Sequence, residues 1–196
     1  MRHISYILAC LSVGILALVT APSAGQAEPD LDEYRGQARI LVKQFAGSLR
    51  NTLLEAIAEG DLDHAIRICK TMAPEVARSF SQQGDWLVHR TALRVRNPDN
   101  APTPQEMAVL VDFQARAEQG EKIPGMEHTG VTKRLDKPFF HYMRAIPLGG
   151  VCAQCHGKNI DPDLALLIRG LYPEDRATGF EVGDLRGAFT LYKPLP

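Results

Sequence analysis

Apolar residues recur every three or four positions through residues 31–59. Val42, Phe45, Leu49, Leu53 and Ile57 form one stripe about four turns long. The spacing predicts a first helix over this stretch, ended by Gly60. Asp61 is placed to cap a second helix that runs to a stop at Gly84. Residues 86–97, WLVHRTALRVRN, change to the alternation of a strand pair, closed by the turn residues Asn97 to Pro102. Thr103, Pro104 and Glu106 then spell a capping box for a third helix reaching Gly120. Residues 121–137 are polar and read as loop or edge strands, and KPFFHYMRAIPL reads as a strand. Asp161 caps a short helix over 161–171, and the tail from Gly179 reads as a hairpin turning near Gly183-Asp184. Helices first and antiparallel strands late give an α+β fold.

The first thirty residues follow another logic. Arg2 precedes an apolar run from Ile4 to about Val19, and Gly25 and Ala27 occupy the −3 and −1 places of a cleavage site. Residues 1–27 are thus expected to be a secretory leader, leaving a single domain over 28–196. A retained anchor is disfavoured, because the run is short for a span and its far flank is small and polar. Cys10 lies inside the run, which argues against lipidation. Cleavage changes 22 basic against 23 acidic residues to 21 against 23, a formal charge of −2. That balance offers nothing to nucleic acid or to an anionic membrane surface. No second apolar run is long enough to cross a membrane, so the mature chain is expected to be free of it and periplasmic.

Three cysteines remain after cleavage, Cys69, Cys152 and Cys155, an odd number for an oxidising compartment. Cys152 and Cys155 flank two residues, and His156 follows at once. A disulfide would leave Cys69 and His156 without a role. Closed zinc sites take four ligands, and no second paired motif is present. A thioredoxin-like site needs a surrounding βαβ unit, which the pattern lacks. One covalent haem c uses all three residues: Cys152 and Cys155 as thioethers and His156 as an axial ligand. About 40 residues follow His156 and none is Met, unlike the layout of simple electron-transfer cytochromes.

The other axial position has nine candidates: Cys69, Met72, Met107, Met126, Met143, His64, His89, His128 and His141. An open position is the alternative. At roughly 100° per residue, Leu62, Ala65, Ala73 and Val76 lie near Cys69 on one face of the second helix, with His64 opposite. Pro74 is expected to kink or end that helix beside Cys69. A buried free cysteine is also an ordinary core residue, so spacing alone leaves its role open. Arg94 and Arg96 are candidate partners of haem propionates, against a solvated strand face. Tyr142 and Phe139 are candidates for the haem edge, against ordinary core.

Three blocks taken together carry a resemblance. They are Arg94-x-Arg96-Asn97-Pro98-x-Asn100, then Cys152-Ala153-Gln154-Cys155-His156-Gly157, then Tyr172-Pro173-x-Asp175-x-Ala177-x-Gly179-Phe180 with Gly183 and Arg186-Gly187-Ala188. In this order they resemble the c-type haem family of PAS-like periplasmic sensor domains, found alone and as input modules of histidine kinases. The resemblance implies a PAS-like antiparallel sheet with flanking helices and a long N-terminal helix. It also implies that Cys69, within Ala65-Ile66-x-x-Cys69-x-x-x-Ala73-Pro74, is an axial ligand. Phe180 stands where that family often has Tyr. The expectation is a non-enzymatic redox or diatomic-gas sensor for NO or CO, working on a separate signalling partner. A low-potential electron-transfer cytochrome c with a redox partner is the alternative. The long first helix is a candidate for homodimer pairing, and would pack on its own sheet equally well.

Overall fold

The computed structural model describes residues 30–196, so the leader at 1–27 lies outside the described residues. Four of the five α-helices begin where a side chain satisfies free N–H groups. Asp30 accepts from the amides of Asp32 and Glu33 at 2.9 and 3.1 Å and starts α1, Leu31–Glu59. Asp61 accepts from the His64 amide and starts α2, Leu62–Ser81. After β1, Leu87–Thr91, and a 3-10 turn at Pro98–Asn100, the capping box of Thr103 and Glu106 opens α3, Pro104–Glu118. A further 3-10 turn, Ile123–Gly125, leads into β2, Glu127–Arg134, and β3, Lys137–Pro147. Then come α4, Ala153–His156, α5, Pro162–Leu171, capped by Asp161, and β4, Leu185–Pro194. Among the described residues no helix is long and apolar enough to cross a membrane.

The four strands form one antiparallel sheet in the order β1-β4-β3-β2. The last strand thus inserts between the first and third, with Leu191 facing both Val88 and Tyr142. Alternation sends successive side chains to opposite faces. Val88, Leu191, Phe189, Phe140 and Tyr142 meet Ala38, Leu41, Val42 and Phe45 of α1 and Phe80 of α2. Phe45 is fully buried there, 5.4 Å from the Phe80 ring and 5.5 Å from Phe189. The other face packs Met143, Ala145 and Ala188 against Val109, Leu110 and Phe113 of α3.

Three local expectations need correction, while the edge-strand reading of the polar stretch after Gly120 agrees with the structure. The strand pair over 86–97 is one strand that stops at Thr91. Beyond it the Val95 carbonyl accepts from the Arg176 amide, so this stretch bonds to the late chain and not to itself. The final hairpin is also one strand. Its expected first limb bonds elsewhere, with Gly179 and Phe180 donating to the carbonyls of Gly157 and His156. Pro74 does not end α2, which continues seven residues beyond it. Residues 127–134 are a full edge strand, joined to β3 through Leu135 and Asp136 at φ 49° and 61°.

Candidate functional site

β3 ends at Pro147, and the next residue is pinned at once. Leu148 donates to the Asp184 carbonyl at 2.8 Å and accepts from the Gly183 amide at 2.9 Å. From that anchor Gly149 and Gly150 turn the chain into α4, a single helical turn with Cys152 at its N-cap. One turn puts residues three apart on the same side, so Cys152 and Cys155 share a face. His156 follows, and its amide closes the turn on the Cys152 carbonyl at 2.9 Å. Gly157 comes next because nothing larger fits: a Cβ there would stand 2.4 Å from the Ala153 carbonyl oxygen.

A strap from Asp175 to Phe180 braces this turn. Asp175 Oδ1 accepts from the Ala177 amide at 2.8 Å, and the Ala177 carbonyl lies 2.6 Å from His156 Nδ1. A carbonyl only accepts, so Nδ1 carries the proton and Nε2 keeps its lone pair. That is the tautomer a metal-binding histidine needs. Burial, with Arg186 and Arg96 adding to it, holds His156 well below 6.5 and so neutral.

Cys69 comes to this turn from α2. Burial pushes its thiol up, Arg90 and Arg96 pull it back, and the Cys152 thiol pushes it up. Cys155 is likewise pushed up by burial and feels both other thiols. All three cysteines are half-buried and free of disulfides. Among the described residues no three His, Cys, Asp or Glu side chains converge as a metal-ion shell. The three thiols lie near enough to feel one another, but they and the imidazole do not meet at a point, as the ligands of a zinc site would.

Three arginines stand beside the same turn. Arg96, 8% exposed, donates from Nη2 to the Cys155 carbonyl at 2.6 Å and from Nε to Asp175 Oδ2 at 3.1 Å. Its Nη1 is buried without a partner, as is Nε of Arg186. Arg90 enters no ion pair among the described residues. Burial lowers Arg186 to about 10, with Arg96 and Arg90 repelling it and Asp175 opposing. Tyr172 feels Arg96, Cys69 and Arg90, and Lys70 sits 5.5 Å over its ring.

Five of the seven residues singled out from the sequence thus come together: Cys69, Cys152, Cys155, His156 and Arg96. Arg94 stays outside, exposed, with its guanidinium 4.2 Å over the Phe180 ring and Nε donating to the Arg176 carbonyl. Tyr142 lies in the core under α1, where its hydroxyl donates to Glu127 at 2.9 Å. Arg90, Arg186 and Asp175 were given no role from the sequence. Arg90 had a usable signal, since it alternates with inward-facing Val88 on β1.

The other axial candidates sort by position. Met126 and Met143 are buried in the α3 core, and Met72 and Met107 are 40% exposed. His64 is also largely exposed, at the start of α2. His89 and His141 belong to a separate buried chain of hydrogen bonds on the α3 face. His141 Nε2 lies 3.0 Å from Thr190 Oγ1, which donates to Glu106 Oε1 at 2.8 Å; His89 Nε2 reaches the same oxygen at 2.9 Å. His128 packs 5.9 Å from the His141 ring.

The profile of the Tll0287-like family matches residues 27–194. The chain belongs to the Tll0287-like family. Among solved structures it is similar to the cyanobacterial heme-protein Tll0287, at 26% identity and a TM-score of 0.61. That likeness covers 83% of this chain and 95% of the other. None of the curated proteins compared with it matches. Both the sheet and the cysteine cluster fall inside the matched residues.

Proposed function

We propose that this chain is an exported c-type haem protein and that it senses redox state or a diatomic gas such as NO or CO. One haem c would be attached through Cys152 and Cys155, with His156 and Cys69 as axial ligands. The observation that carries this is Cys69, on α2, brought beside a Cys-x-x-Cys-His turn whose histidine already has a free Nε2. The likeness to a heme-protein agrees with it, and so do the orphaned arginine donors, which an anionic tetrapyrrole suits. Bound there, the haem supplies an iron whose charge changes by one on reduction and which accepts diatomic ligands.

The protein's own residues divide the work. The Ala177 carbonyl orients His156 and holds its proton on Nδ1. The strap bonds from Gly179 and Phe180 fix the attachment turn. Cys69 belongs to a different element, and α2 also packs on α1, β1 and α5. Movement at Cys69 therefore has a route to the long first helix while the attachment turn stays in place. This favours a sensor acting on a separate signalling partner, with a PAS-like sheet as its scaffold and the periplasm as its compartment. The reading is of a non-enzymatic protein: His128 and His141, which an open haem site would need nearby for acid–base work, sit on the α3 face. An electron carrier with a low potential is the second reading, favoured by the rigid bracing of the His156 turn.

The test is low-temperature EPR of the ferric protein beside Cys69→Ser, after expression with the haem c maturation machinery. A low-spin thiolate-type signal lost in the variant is expected. Identical spectra would remove Cys69 as a ligand; a His/His or His/Met signal would then favour the electron carrier. Absence of covalent haem would overturn the whole reading.

A further inference from the structure

The geometry points to Arg90, Arg96 and Arg186 as a cradle for the two propionate carboxylates of the tetrapyrrole, with Arg94 excluded from it. This rests on the haem reading above. Three guanidiniums stand beside the cysteines, and among the described residues the one carboxylate paired with them is Asp175, 5% exposed and 3.0 Å from Arg96. The local excess is therefore two positive charges, and two propionates carry two negative ones. Unpaired buried cations are expensive, so a site that retains them implies an anion to match. The donors also remain: Arg96 Nη1 and Arg186 Nε are buried without acceptors, and Arg90 enters no ion pair among the described residues.

The three arginines come from separate parts of the chain: β1, the loop after it, and the start of β4. They converge, since Arg186 and Arg90 both feel the Cys152 thiol, and Arg96 feels Asp175 and bonds the Cys155 carbonyl. The bond to Cys155 ties the cradle to the attachment turn. Guanidinium forks match carboxylates in paired geometry, which suits fixed propionates better than mobile ammonium groups would. Arg94 lacks this role, because its Nε is taken by the Arg176 carbonyl and its plane lies over Phe180 at the surface.

The experiment compares the holoprotein with Arg90→Gln, Arg186→Gln, Arg186→Lys and Arg94→Gln. Covalent haem is read first, by mass and haem stain, and the reduction potential is then followed between about pH 4 and 9. Removing a cation next to a propionate destabilises the reduced, less positive iron. It also lets the carboxylate hold its proton to higher pH. Each Gln variant at Arg90 or Arg186 is expected to favour oxidation at least tenfold, about 59 mV for one electron. The sloping part of the potential–pH curve should move toward neutral pH. Arg186→Lys should recover most of the potential, and Arg94→Gln should match wild type. Loss of haem from the Gln variant and its retention in Arg186→Lys would equally support a charge role. Haem retained with unchanged potential and pH profile at Arg90 and Arg186 would overturn the cradle. Wild type without covalent haem would instead sink the underlying reading.

Discussion

His141 is 2% exposed and stacks face to face on Tyr192 at 4.3 Å. Because Thr190 donates its hydroxyl to Glu106, the same oxygen accepts from His141, so Nε2 carries a proton. Burial lowers its pKa from 6.5 to about 4, opposed by the Glu106 charge. The unfolded chain thus binds a proton that the folded chain refuses. Stability from this group is complete above 6.5 and is lost as the pH falls toward 4. A lowering of about 2.5 at about 1.36 kcal/mol per pH unit amounts to about 3 kcal/mol. Glu106 follows in a later window. Burial would raise it, but the bonds from His89, the Thr103 amide and Thr190 prevail and hold it at about 2. Its contribution is therefore lost between 4.5 and about 2. His141→Phe keeps the stacking and the Thr190–Glu106 bond and removes the first titration alone. Urea unfolding, followed by the emission of buried Trp86, should show the wild type losing stability from about pH 6.5 to 4. The variant should lose about 3 kcal/mol less across that interval. Parallel curves for the two proteins would refute the assignment.

Two further outcomes follow from the packing. Asp175→Asn keeps the bond from the Ala177 amide but leaves Arg96 without its carboxylate. A loss of about 3–5 kcal/mol in chemical unfolding is expected, as for a broken buried pair. Phe45→Ala empties the contact between α1, α2 and β4 and should cost about 3–5 kcal/mol in the same measurement.

The helices were legible because their signals are local. Asp61, Asp161 and the Thr103–Glu106 box mark starts by the bonds their own side chains make, and the structure has those bonds. Strand partners are not local. Residues 92–97 alternate as a strand should, yet their backbone meets the strap near Arg176, a pairing that no period encodes. Likewise the turn at Leu135 and Asp136 takes positive φ without the glycine that usually announces it. In the site, Cys152, Cys155 and His156 were visible because their spacing is the chemistry. Tyr142 was open between the haem edge and ordinary core; it lies in the core, on a sheet face that its place in the sequence does not reveal.

The sheet itself explains why the arginine excess must find its counter-ions locally. His89 and Arg90 are neighbours on β1, so the pleat sends them to opposite faces. His89 goes to the α3 face and serves Glu106, which is fully buried. Arg90 goes to the α2 face and stands near Cys69. The one buried carboxylate that could offset an extra cation is thus behind the sheet, already holding three donors of its own. Asp175 serves Arg96. Any neutralisation of Arg90 and Arg186 has to enter from the cysteine side, where the attachment turn would hold a dianionic group. On the haem reading, a fold that keeps Glu106 on one face of the sheet and Arg90 on the other leaves part of that arginine charge to be offset by the bound group.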